Sequence, residues 1–197
     1  MRFILKILSF IALILFGCNQ QKDFIQVESP NEEINVQIRK QKNNFIYNVN
    51  FKGKRIILNS KIGLKFKNGF EFPSYHNVKK VEKKFHKDIW ELPWGEKKIV
   101  KNIYNEIIIS FINTNNLEAG KMLFRAYDDG IAFRYQMNDN NNNQDSLIIV
   151  NEITEFNLSE DAQTWWTPAY KENRYEYLYQ KSKVSALDTC HTPLTLK

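Results

Sequence analysis

Residues 121–137, Lys-Met-Leu-Phe-Arg-Ala-Tyr-Asp-Asp-Gly-Ile-Ala-Phe-Arg-Tyr-Gln-Met, constrain the fold more than any other stretch of the chain. Two runs of alternating side chains flank Asp128-Asp129-Gly130, the composition of a tight hairpin turn. Successive strand residues point to opposite faces, so Met122, Phe124 and Ala126 share one face. After the turn Ile131, Phe133 and Tyr135 do the same. Arg125 and Arg134 fall inside these apolar runs, where an unpaired guanidinium is costly to desolvate. The pattern predicts half-buried arginines capped by carboxylates. It reads as a paired strand unit of a β-sandwich.

Elsewhere the chain reads as strand after strand. Ile34–Arg39 and Phe45–Phe51 alternate apolar and polar residues, and Lys52-Gly53-Lys54 closes the second run with a turn. Ile62–Phe66 leads into Lys67-Asn68-Gly69, another hairpin-type turn. Residues 71–88, polar and aromatic, predict a long loop or a ragged strand pair. Tyr104–Phe111 and Leu147–Ile153 are rich in β-branched residues, which predicts strands buried on at least one face. Asn138–Asn143 is a polar low-complexity tract, expected as an exposed loop. No segment after residue 20 holds a helical period. A (β/α)8 barrel takes about 250 residues, more than this chain provides. The fold class is all-β, a sandwich.

The first eighteen residues are expected to be a targeting device. Arg2 and Lys6 make a basic start, Ile7 to Phe16 an apolar run, and Leu15-Phe16-Gly17-Cys18 the end of a bacterial lipobox. Cys18 is then the acylated first residue of an exported lipoprotein in the periplasm or outer membrane of a Gram-negative bacterium, anchored to the membrane by its lipid. An ordinary secretory signal with an incidental cysteine is the alternative. Residues 19–23 would be a short polar tether and 24–197 the domain. The formal charge of +6 falls to +4 when Arg2 and Lys6 leave with the signal. Lysines cluster at 79–84 and 97–101, but an exported protein seldom meets nucleic acid, so these read as solvated faces and no nucleic acid is expected. Cys190 lacks a disulfide partner, and next to His191 on an extended chain it points away from the imidazole; it reads as a small core residue.

Several phrases along the chain resemble the N-terminal domain of glycoside hydrolase family 97, a family of α-glucosidases and α-galactosidases. They are Ser29-Pro30, Ile89-Trp90-Glu91-Leu92-Pro93-Trp94-Gly95-Glu96, Tyr104-Asn105-Glu106, the 121–137 hairpin, Glu152-Ile153-Thr154-Glu155-Phe156, Tyr175-Glu176 and Thr192-Pro193-Leu194-Thr195. Their order and spacing carry the resemblance over roughly residues 24–197. It implies a two-sheet β-super-sandwich related to galactose mutarotase-like domains. It also implies a catalytic (β/α)8 barrel as partner, in cis or as a split gene product, acting on an α-linked oligosaccharide. Thr192–Lys197 reads like a strand that should continue, and a truncated or split gene product is expected.

Glycoside hydrolysis usually needs two carboxyl groups facing each other across the scissile bond. Asp88, Glu91, Glu96, Glu152, Glu155, Glu172 and Glu176 are all available, yet spacing singles out no pair. In the resembled family the acid and its partner belong to the barrel, so no catalytic residue carries over. The family also binds calcium beside the sugar, with one glutamate from the N-terminal domain; Glu176 resembles that ligand, with Glu172 as fallback. A surface glutamate on an aromatic strand, Tyr175–Tyr179, is the competing reading. Trp165 and Trp166 are candidates for sugar stacking, or for contact with the barrel. A stand-alone carbohydrate-binding surface lipoprotein is the alternative function. His76, His86 and His191 lack zinc-like spacing, and no Gly-rich phosphate loop is present.

Overall fold

The computed structural model describes residues 24–138, 147–170 and 176–197. The first four strands, β1 (Ile25–Glu28), β2 (Ile34–Gln41), β3 (Asn44–Phe51) and β4 (Lys54–Ile62), form one antiparallel sheet in sequence order. Lys52 and Gly53 both hold positive φ (49° and 76°), as a two-residue hairpin turn between twisted strands demands. Gly63 separates β4 from β5 (Leu64–Phe66), which pairs with β6 (Glu71–Phe72). A Cβ at Gly63 would sit 2.8 Å from the Phe72 carbonyl oxygen and 3.0 Å from Ile153 Cδ1. Only glycine lets these backbones approach so closely.

A second antiparallel sheet contains β7 (Asn77–Glu91), β8 (Ile99–Ile112), β9 (Glu118–Tyr127) and β10 (Gly130–Met137), in the order β10-β9-β8-β7. The β9–β10 hairpin turns at Asp128 and Asp129, with Tyr127 opposite Gly130, as the sequence predicts. The two sheets stack through their alternating apolar faces. Val36, Ile38, Phe45 and Tyr47 of the first meet Ile107, Ile109, Phe111, Met122 and Phe124 of the second, all buried. Phe45 and Phe72 each present an edge to Phe111, at ring separations of 5.0 and 5.3 Å. Such pairs contribute about 0.5–1.5 kcal/mol beyond the area they bury. The core tyrosines keep their hydroxyls satisfied: Tyr47 donates to the Glu155 carbonyl, and Tyr135 shares a hydrogen bond with Thr154 Oγ1, each at 2.8 Å.

After β10, β11 (Ile149–Glu152) joins the far side of β5, giving a small sheet β11-β5-β6. Residues 153–159 continue along β4 through hydrogen bonds such as Ile153 N to Gly63 O and Leu58 N to Asn157 O. A last three-stranded sheet holds β12 (Gln163–Trp166) between β13 (Gln180–Lys183) and β14 (Thr195–Leu196). Among the described residues the only helical element is one 3₁₀ turn at Val184–Ala186. The fold is an all-β sandwich.

Three local expectations need correction. Residues 77–91 are neither loop nor ragged pair but one long strand, held by pairing with β8 that is interrupted by a single register shift between Val78 and Lys80. Leu147–Val150 does not lie buried: Leu147, Ile148, Ile149 and Val150 are 50–54% exposed, because β11 is an edge strand that no described residue covers there. Of the two arginines, Arg125 is half-buried and carboxylate-capped, whereas Arg134 is exposed on the outer face of β10. The tract from Asp139 to Asn143 lies outside the described residues, as do Cys18, the tether 19–23, Glu172 and Tyr175.

Candidate functional site

Two clusters concentrate polar and aromatic groups. One is built on β12 and β13. Alternation along Gln163-Thr164-Trp165-Trp166 sends Thr164 and Trp166 inward and leaves Trp165 half-buried on the other face. Trp166 is 6% exposed and its indole N–H donates to Ser182 Oγ at 3.0 Å. Thr164 Oγ1 donates to the Ser182 carbonyl at 2.9 Å. Ser182 thus anchors both inward side chains. Trp166, a candidate either for stacking or for a contact with the barrel, has its ring packed away, whereas Trp165 is half-buried. Lys181 Nζ stands 5.3 Å from the Trp165 ring centre, a cation–π contact on an open face.

Glu176 is exposed and precedes β13 by four residues; β13 opens at Gln180, opposite Trp166. Tyr177, Leu178 and Tyr179 that follow it are exposed as well and lie outside any strand. The aromatic strand Tyr175–Tyr179 expected from the sequence is therefore replaced, over its described part, by an irregular segment. Tyr170, 96% exposed, adds another free ring to this region of the chain. Calcium takes about six to eight oxygen ligands. Among the described residues no group of three or more His, Cys, Asp or Glu side chains converges on one point. These residues do not make a calcium site by themselves; Glu176 offers a single carboxylate. Cys190 is half-buried, and Pro168 bridges to it across the backbone.

The second cluster lies on the outer face of β7, β8 and β9. Arg125 Nε donates to Glu106 Oε1 at 2.8 Å, and its guanidinium caps the Tyr104 ring at 4.4 Å. His86 stacks on Tyr104 at 4.8 Å and Tyr127 tilts against it at 5.0 Å. The Glu106 hydrogen bond, more than any other contact, raises the affinity of Arg125 for its proton, and burial raises the Tyr104 hydroxyl above its ordinary range. The sequence showed Arg125 needing a carboxylate but did not single out Glu106. The available signal was parity: Tyr104 and Glu106 share a face, and strand pairing sets Glu106 opposite Arg125.

An antiparallel two-sheet sandwich extended by a small three-stranded sheet defines the class: an all-β sandwich domain. The chain belongs to glycoside hydrolase family 97, since residues 27–197 match the family description Glycosyl-hydrolase 97 N-terminal. It is similar to a glycoside hydrolase family 97 enzyme of Pseudoalteromonas sp. strain K8 in complex with panose, at 32% identity and a TM-score of 0.79. The same figures hold for that strain's enzyme in complex with acarbose. In both, the match covers 88% of this chain and 26% of the enzyme, so the chain spans about a quarter of these relatives. A β-arabinopyranosidase shares the fold, with a TM-score of 0.70 at 19% identity over 79% of this chain.

Proposed function

We propose that this chain serves as the N-terminal sandwich of an α-glycosidase, bracing a catalytic barrel and completing the rim of its active site. The observation that carries this reading is the family match over residues 27–197 to about a quarter of enzymes recorded with panose and acarbose. In this reading the opposed acids that cleave an α-glucoside or α-galactoside come from the barrel. Glu176, exposed and unencumbered by strand pairing, is offered as one oxygen ligand of a calcium ion that the barrel otherwise holds. Cys18 carries the lipid that keeps the protein at the membrane. Incorporation of a radiolabelled fatty acid, lost in Cys18→Ser, is the expected result for that anchor; equal labelling of both removes it.

The chain alone is expected to show no turnover of aryl α-glucosides, with or without calcium. Turnover that disappears in Glu176→Gln would overturn the assignment. Calorimetric titration of the same chain with calcium is expected to show no saturable binding, because one carboxylate replaces too little of the ion's hydration shell.

The half-buried Trp165 with Lys181 above it favours a second reading, capture of oligosaccharides without cleavage. Saturable binding of maltooligosaccharides, abolished by Trp165→Ala, would select it.

A further inference from the structure

The edge strand β1 holds four residues, whereas β7 and β8 hold fifteen and fourteen. β8 pairs with β9 only as far as Asn105, and beyond it β7 and β8 continue as a two-stranded arm to Glu91 opposite Ile99. β1 stops beside the root of that arm. There Asn105 Nδ2 donates to the Glu28 carbonyl at 2.8 Å. A cleft of about 330 Å³ opens between Val27 and Glu28 on one side and Lys83, Phe85 and Asn105 on the other.

Strand pairing decides which side chains enter the cleft, because residues directly opposite in an antiparallel pair share a face. Phe85 is opposite Asn105, whose amide reaches β1, and Lys83 is opposite Ile107, whose side chain is in the core. Lys83, Phe85 and Asn105 therefore all face β1. The Phe85 ring is 62% exposed, and Lys83 is exposed as well. Glu106 also borders the cleft, but its carboxylate turns to the outer face and meets Arg125. Glu28 lies opposite Asn35, and its Oε1 accepts from Asn35 Nδ2 at 2.8 Å. Both acids are thus engaged elsewhere, and the arrangement can bind but not cleave a glycosidic bond.

What the cleft presents is a flat ring, an ammonium donor, and oxygen acceptors on the Asn105 amide and the β1 backbone. A pyranose has an apolar C–H face and a rim of hydroxyls that both donate and accept, so it matches this set. An aliphatic ligand would leave the lysine and the amide unused, and a simple anion would forgo the ring. The volume lies at the lower end of the about 300–1,000 Å³ of small-ligand sites and suits a short saccharide. We propose that the cleft between β1 and the root of the β7–β8 arm is a non-catalytic saccharide-binding site. In it Phe85 stacks on a sugar ring while Lys83 and Asn105 hold its hydroxyls. The choice of an α-linked sugar as probe rests on the function proposed above; the geometry of the cleft does not. The site is built from other strands than the one that carries Trp165.

The test titrates panose, the sugar recorded with the similar enzyme, into this chain and reads calorimetry and backbone amide shifts. Saturable binding is expected, with the largest shifts at Val27, Phe85 and Asn105, a reading independent of any substitution. Phe85→Ala is expected to weaken binding about tenfold, Phe85→Tyr to preserve it, and Lys83→Met to weaken it by less. Trp165→Ala should leave it unchanged. Phe85 and Lys83 are both exposed, so melting temperatures equal to that of the unaltered chain are expected to show that the variants fold. Undiminished binding by Phe85→Ala overturns this inference, and loss in Trp165→Ala instead would move the sugar to β12. No binding of panose by the unaltered chain also overturns it, yet leaves the proposed function standing, since bracing a barrel requires no sugar in this cleft.

Discussion

Arg125 and Glu106 show how a single pairing decides whether a charged residue is tolerated within a sheet. Glu106 is 8% exposed, and Arg125 both neutralises it and shields Tyr104. Arg125→Ala leaves the carboxylate with its desolvation uncompensated, at a cost of about 2–3 kcal/mol, below the full buried-pair penalty because the arginine is itself one-third exposed. Arg125→Met with Glu106→Leu should recover most of that loss in urea unfolding, since neither residue then carries charge. Non-recovery would mean that the cation on Tyr104, not the ion pair, is what stabilises the face. Glu155 behaves differently. It accepts from the Lys61 backbone N–H at 3.0 Å and pairs with Lys61 Nζ at 3.2 Å, and the backbone bond leads in holding its pKa below the ordinary 4.5. A depressed carboxylate contributes stability that is present above its unfolded value and fades as pH falls through the folded one. Glu155→Gln should therefore cost about 1 kcal/mol at pH 7, modest because the side chain is solvent-screened, and the gap should narrow as pH falls below 4.5 and through the lowered folded value. A gap that does not narrow on acidification would assign the effect to shape and not to charge.

At the scale of elements, legibility followed how cleanly each strand alternates. The β9–β10 hairpin was legible because apolar residues fill one face and Asp128-Asp129-Gly130 marks the turn. In β7 the lysines at 79, 80, 83, 84 and 87 hide the period, since this strand lies at a sheet edge and exposes both faces. Lysine on an edge strand also guards against pairing with another chain, so the obscuring residues have a physical purpose. β11 misled in the opposite direction: Ile149 and Val150 suggest burial, but a four-residue edge strand with no cover exposes them. The inward turn of Trp166 was unreadable because its anchor, Ser182, lies sixteen residues away. Close approaches between elements leave a different trace. At Gly120 a Cβ would fall 2.8 Å from the Gln136 carbonyl oxygen and 3.1 Å from the Phe72 ring, neither of which can swing away. Gly120→Ala should destabilise by about 2 kcal/mol or more, through backbone displacement of β10. A thermal midpoint shift under about 1 °C would show that the strands relax freely there.

Across the whole molecule, stability is unevenly distributed. The sandwich centres on Ile107, Ile109 and Phe111 in the middle of β8, sealed by the first sheet and flanked by β7 and β9. The same strand continues to Ile99, where its only described neighbour is β7 and both strands face solvent. One continuous strand therefore joins the best-buried and the least-covered parts of the fold. Amides whose opening requires sheet separation exchange only with global unfolding, whereas those in an uncovered two-stranded arm open locally. Hydrogen exchange should thus show protection in β8 rising steeply from Ile99 to Ile107, with Val100 and Ile103 exchanging at least about a hundredfold faster than Ile109. Denaturant should erase the difference only at the unfolding midpoint. Uniform protection along β8 in the chain alone would mean that the arm is already buried, by a second copy or by residues outside the described part.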